Sequence, residues 1–293
     1  MDLAIVTSRD YARYHEDDLP LIDALASRGV RCTPAVWDDA GFDWARPDAL
    51  LVRTPWDYYR RWDEFARFLD RVEALRLRTI NPVPTLRWNA DKHYLLELAA
   101  AGLPVVPTRW VARGDDAALA AAVRTIDADQ VVVKPVVSGS AWRTWRFAPG
   151  DLAQRTGEIA PALASGAMLV QPYLPAIARE GEWSLLFFGG RYSHAILKRP
   201  AAGDFRVQER HGGTFEALEP DAAIVAAAAR VVEALPALGH PGCLYARVDG
   251  VVGTGGFELM ELEVLEPQLF LTGRPDAAAR FAEVLVAALR APR

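Results

Sequence analysis

Three carboxylates and one arginine stand at spacings that a pair of strands would align. The run Tyr245-Ala-Arg-Val-Asp-Gly-Val-Val leads into the glycine-rich turn Gly253-Thr-Gly-Gly256. The run Phe257-Glu-Leu-Met-Glu-Leu-Glu-Val then follows. Strand side chains alternate between faces with period two, so Arg247 shares a face with Asp249, and Glu261 shares one with Glu263. A hairpin would bring these faces level and gather the four charges into one patch. Carboxylates packed so closely repel one another, and a hard dication that prefers oxygen ligands relieves the repulsion. Magnesium keeps several waters and shares its shell with phosphate oxygens, so three protein carboxylates suffice. The plainer reading is a solvated acidic face on an ordinary hairpin.

Lysines at the ends of apolar runs would supply the matching positive charge. Lys134 follows Val131-Val-Val133, and Lys198 follows Ala195-Ile-Leu197. Lys92 stands in Asn89-Ala-Asp-Lys92, read as one turn into a helix that Asn89 caps. A compact charge held by a rigid element suits a phosphate. Any one of these lysines read singly is more simply a surface side chain. Four residues beyond Lys134, Ser138-Gly139-Ser140 forms a small loop whose backbone N–H groups could lie on phosphate oxygens. It is not a Walker A loop, and neither GxSxG nor a Ser/His/Asp triad is visible. For a second substrate, Arg53, Trp56, Asp57 and Tyr58 stand at the end of a strand, where ligands favour α/β lobes. Arg53 could hold a carboxylate there or form a buried ion pair. Arg206 and His211 lie in a polar loop that could close over a substrate. His15, Glu16 and Asp17 follow the first strand and could line the same cleft.

The elements that must position these groups can be read from periodicity. Leu3–Thr7, 35–37 and 49–52 read as strands, alternating with helices over Leu19–Arg28 and Asp63–Leu75. This is a parallel α/β lobe over residues 1–86. A helix is expected over Ala90–Ala101, stopped by Gly102-Leu-Pro104, with further helices at 115–124 and 151–165. Strands are expected at 130–134, where Pro135 breaks the run, and at 168–173. The last part reads as strands at 183–188, 191–198, 244–252 and 257–265, with helices at 221–235 and 275–289. Gly189-Gly190 and 253–256 mark antiparallel turns.

Composition narrows the classes. The 293 residues are 51% apolar, enough for a sizeable core. Net charge is −5 and the isoelectric point is near 5.6. Bulk charge therefore gives no sign of a nucleic-acid or membrane partner. Cys32 and Cys243 are isolated, which argues against a disulfide framework or structural zinc and suits a reducing cytoplasm. No secretory signal or membrane-length apolar run is read. A homodimer is the base-rate expectation for assembly.

The order of the motifs carries more than any single one. Asn89-x-Asp-Lys92, Gly102-Leu-Pro-x-x-Pro107, Val-Val-Lys134-Pro, Val170-Gln-Pro-Tyr173, Gly181-Glu182, Arg247-x-Asp249 and Glu261-x-Glu263 follow in turn. This series resembles the ATP-grasp superfamily over nearly the whole chain. The resemblance implies an N-terminal α/β lobe, residues 1–86, and two α+β lobes clamping ATP. These would be a central lid lobe, 87–173, and a C-terminal lobe with the metal site, 174–293. It implies that Lys92 and Lys134 contact ATP phosphates and that Ser138, Gly139 and Ser140 form the lid loop. Gln171, Tyr173 and Leu174 would read the adenine edge, and Glu180 or Glu182 would lie near the ribose. Lys198 would lie near the terminal phosphate, Asp249, Glu261 and Glu263 would hold two magnesium ions, and Arg247 would stabilise the phosphoryl intermediate. The implied reaction is an ADP-forming ligation through an acyl phosphate. Two positions depart from the family. Glu263 stands where many members carry Asn, and Glu266-Pro-Gln-Leu269 stands where Asn-x-x-Pro-Gly is common.

Within the superfamily, Leu51-Val-Arg-Thr-Pro-Trp-Asp-Tyr58, Leu86-Arg-Trp-Asn89, Gln171-Pro-Tyr-Leu174 and Phe187-Phe-Gly-Gly190 are most similar to the cyclo-ligases of cycloserine biosynthesis, which close O-ureidoserine. A small amino acid or ureido amino acid is then the expected substrate. The alternatives are a D-alanine–D-alanine-like or glutathione-synthetase-like peptide ligase, or a nucleotide-binding regulatory protein without turnover.

Overall fold

A computed structural model describes residues 1–201, 203–208 and 211–291. Its strands form three sheets. The first is parallel, in the order β2-β1-β3-β4, from β1 (Asp2–Thr7), β2 (Arg31–Val36), β3 (Ala49–Thr54) and β4 (Thr79–Ile80). β3 is buried along its whole length and β1 beyond its first residue, as expected of strands covered on both faces. Helices α1 (Leu19–Ala26) and α2 (Trp62–Ala74) flank this sheet. α2 buries Phe65, Phe68, Leu69 and Val72 at helical spacing, against Trp37 and Trp44.

Two short helices follow, α3 (Val83–Ala90) and α4 (Tyr94–Ala100). The helix expected over 90–101 begins only at Tyr94, with α3 a separate helix before it, and Asn89 does not cap it. Pro84 sits in the first turn of α3 and starts that helix early. Asp91 takes the turn between the helices and accepts from His93 N at 2.9 Å. Asn89 is buried instead: its Nδ2 donates to Leu262 O at 2.7 Å, and its Oδ1 accepts from Val264 N at 2.7 Å. Lys92 therefore lies in the break between two helices. Its backbone N–H donates to Val136 O.

The second sheet is antiparallel, β5-β8-β6-β7, from β5 (Arg109–Val111), β6 (Val131–Pro135), β7 (Trp145–Phe147) and β8 (Met168–Pro172). Pro135 ends β6 from within, paired with Met168, rather than breaking it beforehand. α5 (Asp116–Thr125) and α6 (Leu152–Ser165) complete its core. Asp115 caps α5, accepting from Ala118 N at 2.8 Å.

The third sheet is antiparallel, β11-β10-β9-β12-β13, from β9 (Glu182–Phe188), β10 (Arg191–Arg199), β11 (Thr214–Ala217), β12 (Tyr245–Gly253) and β13 (Gly256–Glu263). α7 (Ala176–Arg179) precedes it, α8 (Ala222–Ala234) packs on one face and α9 (Pro275–Arg290) on the other. α9 also covers α1, so one core runs from Leu21 and Leu25 through Phe281 and Leu285 to Leu186 and Phe188. The first and third sheets share this core, while the second has a core of its own. Among the described residues, no helix is long and apolar enough to cross a membrane.

Candidate active site

The β12–β13 hairpin sets the charges. Register pairs Arg247 with Glu263 and Asp249 with Glu261, so the alternation read from sequence places all four on one face. The register shifts between Asp249 and Gly250. Such an irregularity re-aims the side chain beside it. Arg247 is the centre of the patch. Its Nη2 reaches Asp249 Oδ2 at 2.8 Å and also pairs with Glu263, and its Nη1 donates to Gln268 O at 3.2 Å. Ser184 Oγ bonds Asp249 from the neighbouring strand. Lys198 Nζ lies 3.1 Å from Glu182 Oε1 and 3.6 Å from Asp249 Oδ1. Lys92 Nζ lies 3.1 Å from Glu261 Oε1 and donates to Ser138 O at 2.5 Å, tying the helix break to the Ser-Gly-Ser loop.

These groups open onto a cavity of about 470 Å³ between the second and third sheets and below the carboxyl ends of β1 and β3. Val106, Val132, Pro172, Leu174, Ile177 and Met260 make one end apolar. Lys134 lines the cavity beyond them and, among the described residues, makes no ion pair. Burial and the nearby Lys92 lower its affinity for a proton, Glu261 opposing. An anion in the cavity would compensate both. Gly139 packs against the Tyr59 ring, where an added Cβ would lie 2.8 Å from ring carbons.

The carboxylates differ in protonation. Burial disfavours the charge on Asp249, but Arg247 and Lys198 outweigh it and hold the carboxyl below its usual range. Lys92 and Lys134 do the same for Glu261 against burial. Glu263 is pushed up to about 8 by burial, with Glu261, Asp249 and Glu266 adding repulsion that Arg247 does not cancel. Glu266 is pushed up to about 7, again chiefly by burial. Among the described residues no three acidic, histidine or cysteine side chains form a ready metal cage, because Lys92, Lys198 and Arg247 draw the carboxylates toward themselves. The unrelieved repulsion at Glu263 and the oxygen-only donor set nonetheless fit a magnesium ion that takes part of its shell from phosphates.

Not every residue singled out from sequence reaches the cavity. Lys92, Lys134, Lys198, Arg247, Glu182, Ser138, Gly139, Ser140, Gln171, Tyr173, Leu174, Trp56, Asp57 and Arg206 line it together with the hairpin carboxylates. Glu180 does not: it is exposed at the end of α7, and Glu182 takes the inward position. Tyr173 has its backbone N–H committed to Gln130 O at 2.8 Å, leaving its ring to face Arg146 and Phe205. Arg53 is sealed inside, 1% exposed, with Nε 2.8 Å from Asp18 Oδ1 and Nη1 donating to Pro267 O at 2.9 Å. It cannot meet a substrate carboxylate directly. Tyr58 is buried behind the wall, facing Glu266, and His211 lies outside the lining. Arg206 is held by Asp204 at 2.7 Å. Of the loop after β1, His15 lines the cavity, while Asp17 is turned inward and accepts from Leu269 N and Thr272 N.

Several lining residues give little local signal. Ser8 and Tyr11 follow β1, and Glu266, Gln268 and Phe270 follow β13. The rule that ligands gather at carboxyl ends of parallel strands would have pointed to Ser8.

Fold and site together define an ATP-grasp ligase, an enzyme that couples ATP and Mg²⁺ to bond formation in small-molecule substrates. The chain belongs to the family of the cycloserine biosynthesis protein DcsG from Streptomyces lavendulae, to which it is 36% identical over 305 residues, 98% of this chain and 99% of that protein. The family model described as D-cycloserine synthetase DcsG, N-terminal domain, matches residues 3–81. The crystal structure of D-cycloserine synthetase DcsG superimposes with a TM-score of 0.89 at 35% identity, covering 99% of this chain and all of that one. A RimK-domain ATP-grasp protein from Sphaerobacter thermophilus shares the fold at 21% identity and a TM-score of 0.70, over 97% of this chain and 99% of that one.

Proposed function

We propose that this ATP-grasp ligase is a cyclo-ligase that activates the carboxylate of a ureido amino acid and closes a cycloserine-type ring. The observation that carries the reading is the hairpin of Asp249, Glu261 and Glu263 facing Lys92, Lys134 and Lys198 across one cavity. The extended likeness to a cycloserine biosynthesis protein supports the choice of substrate. A carboxylate is a poor electrophile because oxide would have to leave. Its oxygen therefore attacks the terminal phosphorus of ATP and ADP departs. A nitrogen of the same molecule then attacks the acyl phosphate carbon, loses its proton, and phosphate leaves.

In this reading the protein positions and neutralises rather than forming covalent bonds. Lys134 and Lys92 hold phosphates, with Ser138, Gly139 and Ser140 closing over them. Lys198 and Arg247 offset charge that develops during transfer. Gln171, Tyr173 and Leu174 with the apolar end of the cavity seat the base, and Glu182 faces the ribose. Asp249, Glu261 and Glu263 would hold two magnesium ions, which supply charge neutralisation between phosphates. The added negative charge of Glu263, relative to the Asn common at that place, favours the second ion.

The test is ADP release from ATP, Mg²⁺ and O-ureidoserine, with mass spectrometry of the product. Cyclisation gives a product lighter than the substrate. Intermolecular ligation, the D-alanine–D-alanine-like alternative, gives a mass joined from two substrates and would replace the cyclo-ligase reading.

A further inference from the structure

The charges lining the cavity do not all pair. Lys198 holds Glu182, Arg247 and Lys198 hold Asp249, Lys92 holds Glu261, and Arg247 holds Glu263. Glu266 lines the same cavity, yet among the described residues no cation stands within ion-pair distance of it. It faces the neutral phenol of Tyr58. Lys92 and Arg247 act on it from farther away, and Glu261 and Glu263 repel it. A carboxylate in a desolvated wall without a counter-ion is costly, and the cost is relieved by uptake of a proton or by arrival of a cation.

Its position is built rather than incidental. Trp56 Nε1 donates to Glu266 O at 2.9 Å, Arg53 Nη1 to Pro267 O at 2.9 Å and Arg247 Nη1 to Gln268 O at 3.2 Å. His194 Nε2 donates to Leu269 O at 2.9 Å, and Asp17 accepts from Leu269 N at 3.2 Å. Four consecutive carbonyls are thus fixed by side chains from distant parts of the chain. Ser8 offers a second, independent observation. It is 2% exposed, it lines the cavity, and its Oγ has no hydrogen-bond partner. The segment Thr54–Trp56 touches both residues, since Thr54 O accepts from Ser8 N and Trp56 donates to Glu266. Around them the rings of Tyr11, His15 and Trp56 meet edge to face, with centroids 4.9 to 5.1 Å apart. Aromatic faces favour an ammonium group. An anion would be repelled at Glu266 and drawn instead toward Lys134.

We propose that Glu266 binds the α-ammonium of the amino-acid substrate, with Ser8 Oγ as a second polar contact on the same wall. The assignment rests on the amino-acid ligase reading above, and it makes Glu266 the residue that distinguishes amino acids from other carboxylates. Arg53 then acts as a positioning residue, holding the backbone that presents Glu266.

The test pairs Glu266→Gln with O-ureidoserine and with the same compound bearing hydrogen in place of the α-amino group. ADP release is measured for both proteins and both compounds, together with KM for ATP. The wild-type enzyme should prefer the amino compound, and Glu266→Gln should lose about 10- to 100-fold in kcat/KM for it, as expected for a charge-assisted hydrogen bond. The same substitution should leave the des-amino compound and the KM for ATP unchanged. Equal losses on both compounds would assign Glu266 to the chemistry or the fold and overturn the proposal. So would no loss on either. Absence of ADP from both compounds with the wild-type enzyme overturns the substrate reading and the assignment with it.

Discussion

Asp249, Glu261 and Glu263 share a strand face but not an environment. Asp249 is enclosed by Arg247, Ser184 and Lys198, whereas Glu261 is partly open to the cavity beside Lys92. Glu261→Ala should reduce ADP release by at least about 100-fold, as for loss of a preorganised electrostatic group. Its melting temperature should stay within a few degrees of wild type; unchanged turnover would remove Glu261 from the proposed metal ligands. His194 gives a prediction in pH. The Leu269 carbonyl can only accept, so Nε2 carries a proton and donates to it. Burial pushes its pKa down from 6.5 to about 4. A folded pKa below the unfolded one contributes stability that is complete above pH 6.5 and is lost as pH falls through 6.5 toward 4. The loss should reach about 3 kcal/mol by urea denaturation. His194→Gln keeps a donor for Leu269 O and should flatten that slope.

The hairpin depends on one glycine. A Cβ at Gly250 would lie 2.5 Å from Glu258 O and would also meet the Phe257 ring, at the point where the β12–β13 register shifts. Backbone cannot withdraw as a flexible side chain can. Gly250→Ala should therefore cost about 3 kcal/mol in denaturant unfolding. It should also lower activity in the surviving folded protein, because Asp249 precedes the shift; wild-type stability would show that the strands can slide. The break between α3 and α4 belongs to the same scale. Asn before an apolar run reads as a helix cap, but here its amide serves β13. Sequence supplies the hydrogen-bonding capacity of Asn89, whereas its partner 173 residues away is set by packing.

Asn81, directly after β4, joins the first and third sheets, and Asn89 ties α3 to β13. Asn81 Nδ2 donates to Tyr245 O and Val264 O, and its Oδ1 accepts from Leu244 N at 2.6 Å. With the shared core around α1 and α9, these two units form one platform; the second sheet has a core of its own and meets the platform through Val136 and Leu169. Hydrogen exchange should show ATP with Mg²⁺ slowing amides near 134–142 and 168–174, while β1, β3 and α9 are protected alike with and without nucleotide. Equal slowing throughout would mean that the whole molecule tightens on binding.

Much of the arrangement of the candidate site could be read from the sequence alone because it is local. Strand alternation places Arg247 with Asp249 and Glu261 with Glu263, and the order of the lysines and the Ser-Gly-Ser loop marks the ATP-grasp plan. Residue type also narrowed Arg53 to a substrate contact or a buried ion pair, but could not choose between them. The tertiary structure made that choice by closing Asp18 and the Pro267 carbonyl around it. It turned Glu180 outward and Glu182 inward, a difference of two positions in a short connection that periodicity does not reach. Above all it brought Ser8, Trp56 and Glu266 together from three regions of the chain. Spacing along a strand fixes which side chains share a face, but only the packing of separate elements decides which carboxylate is left without a cation.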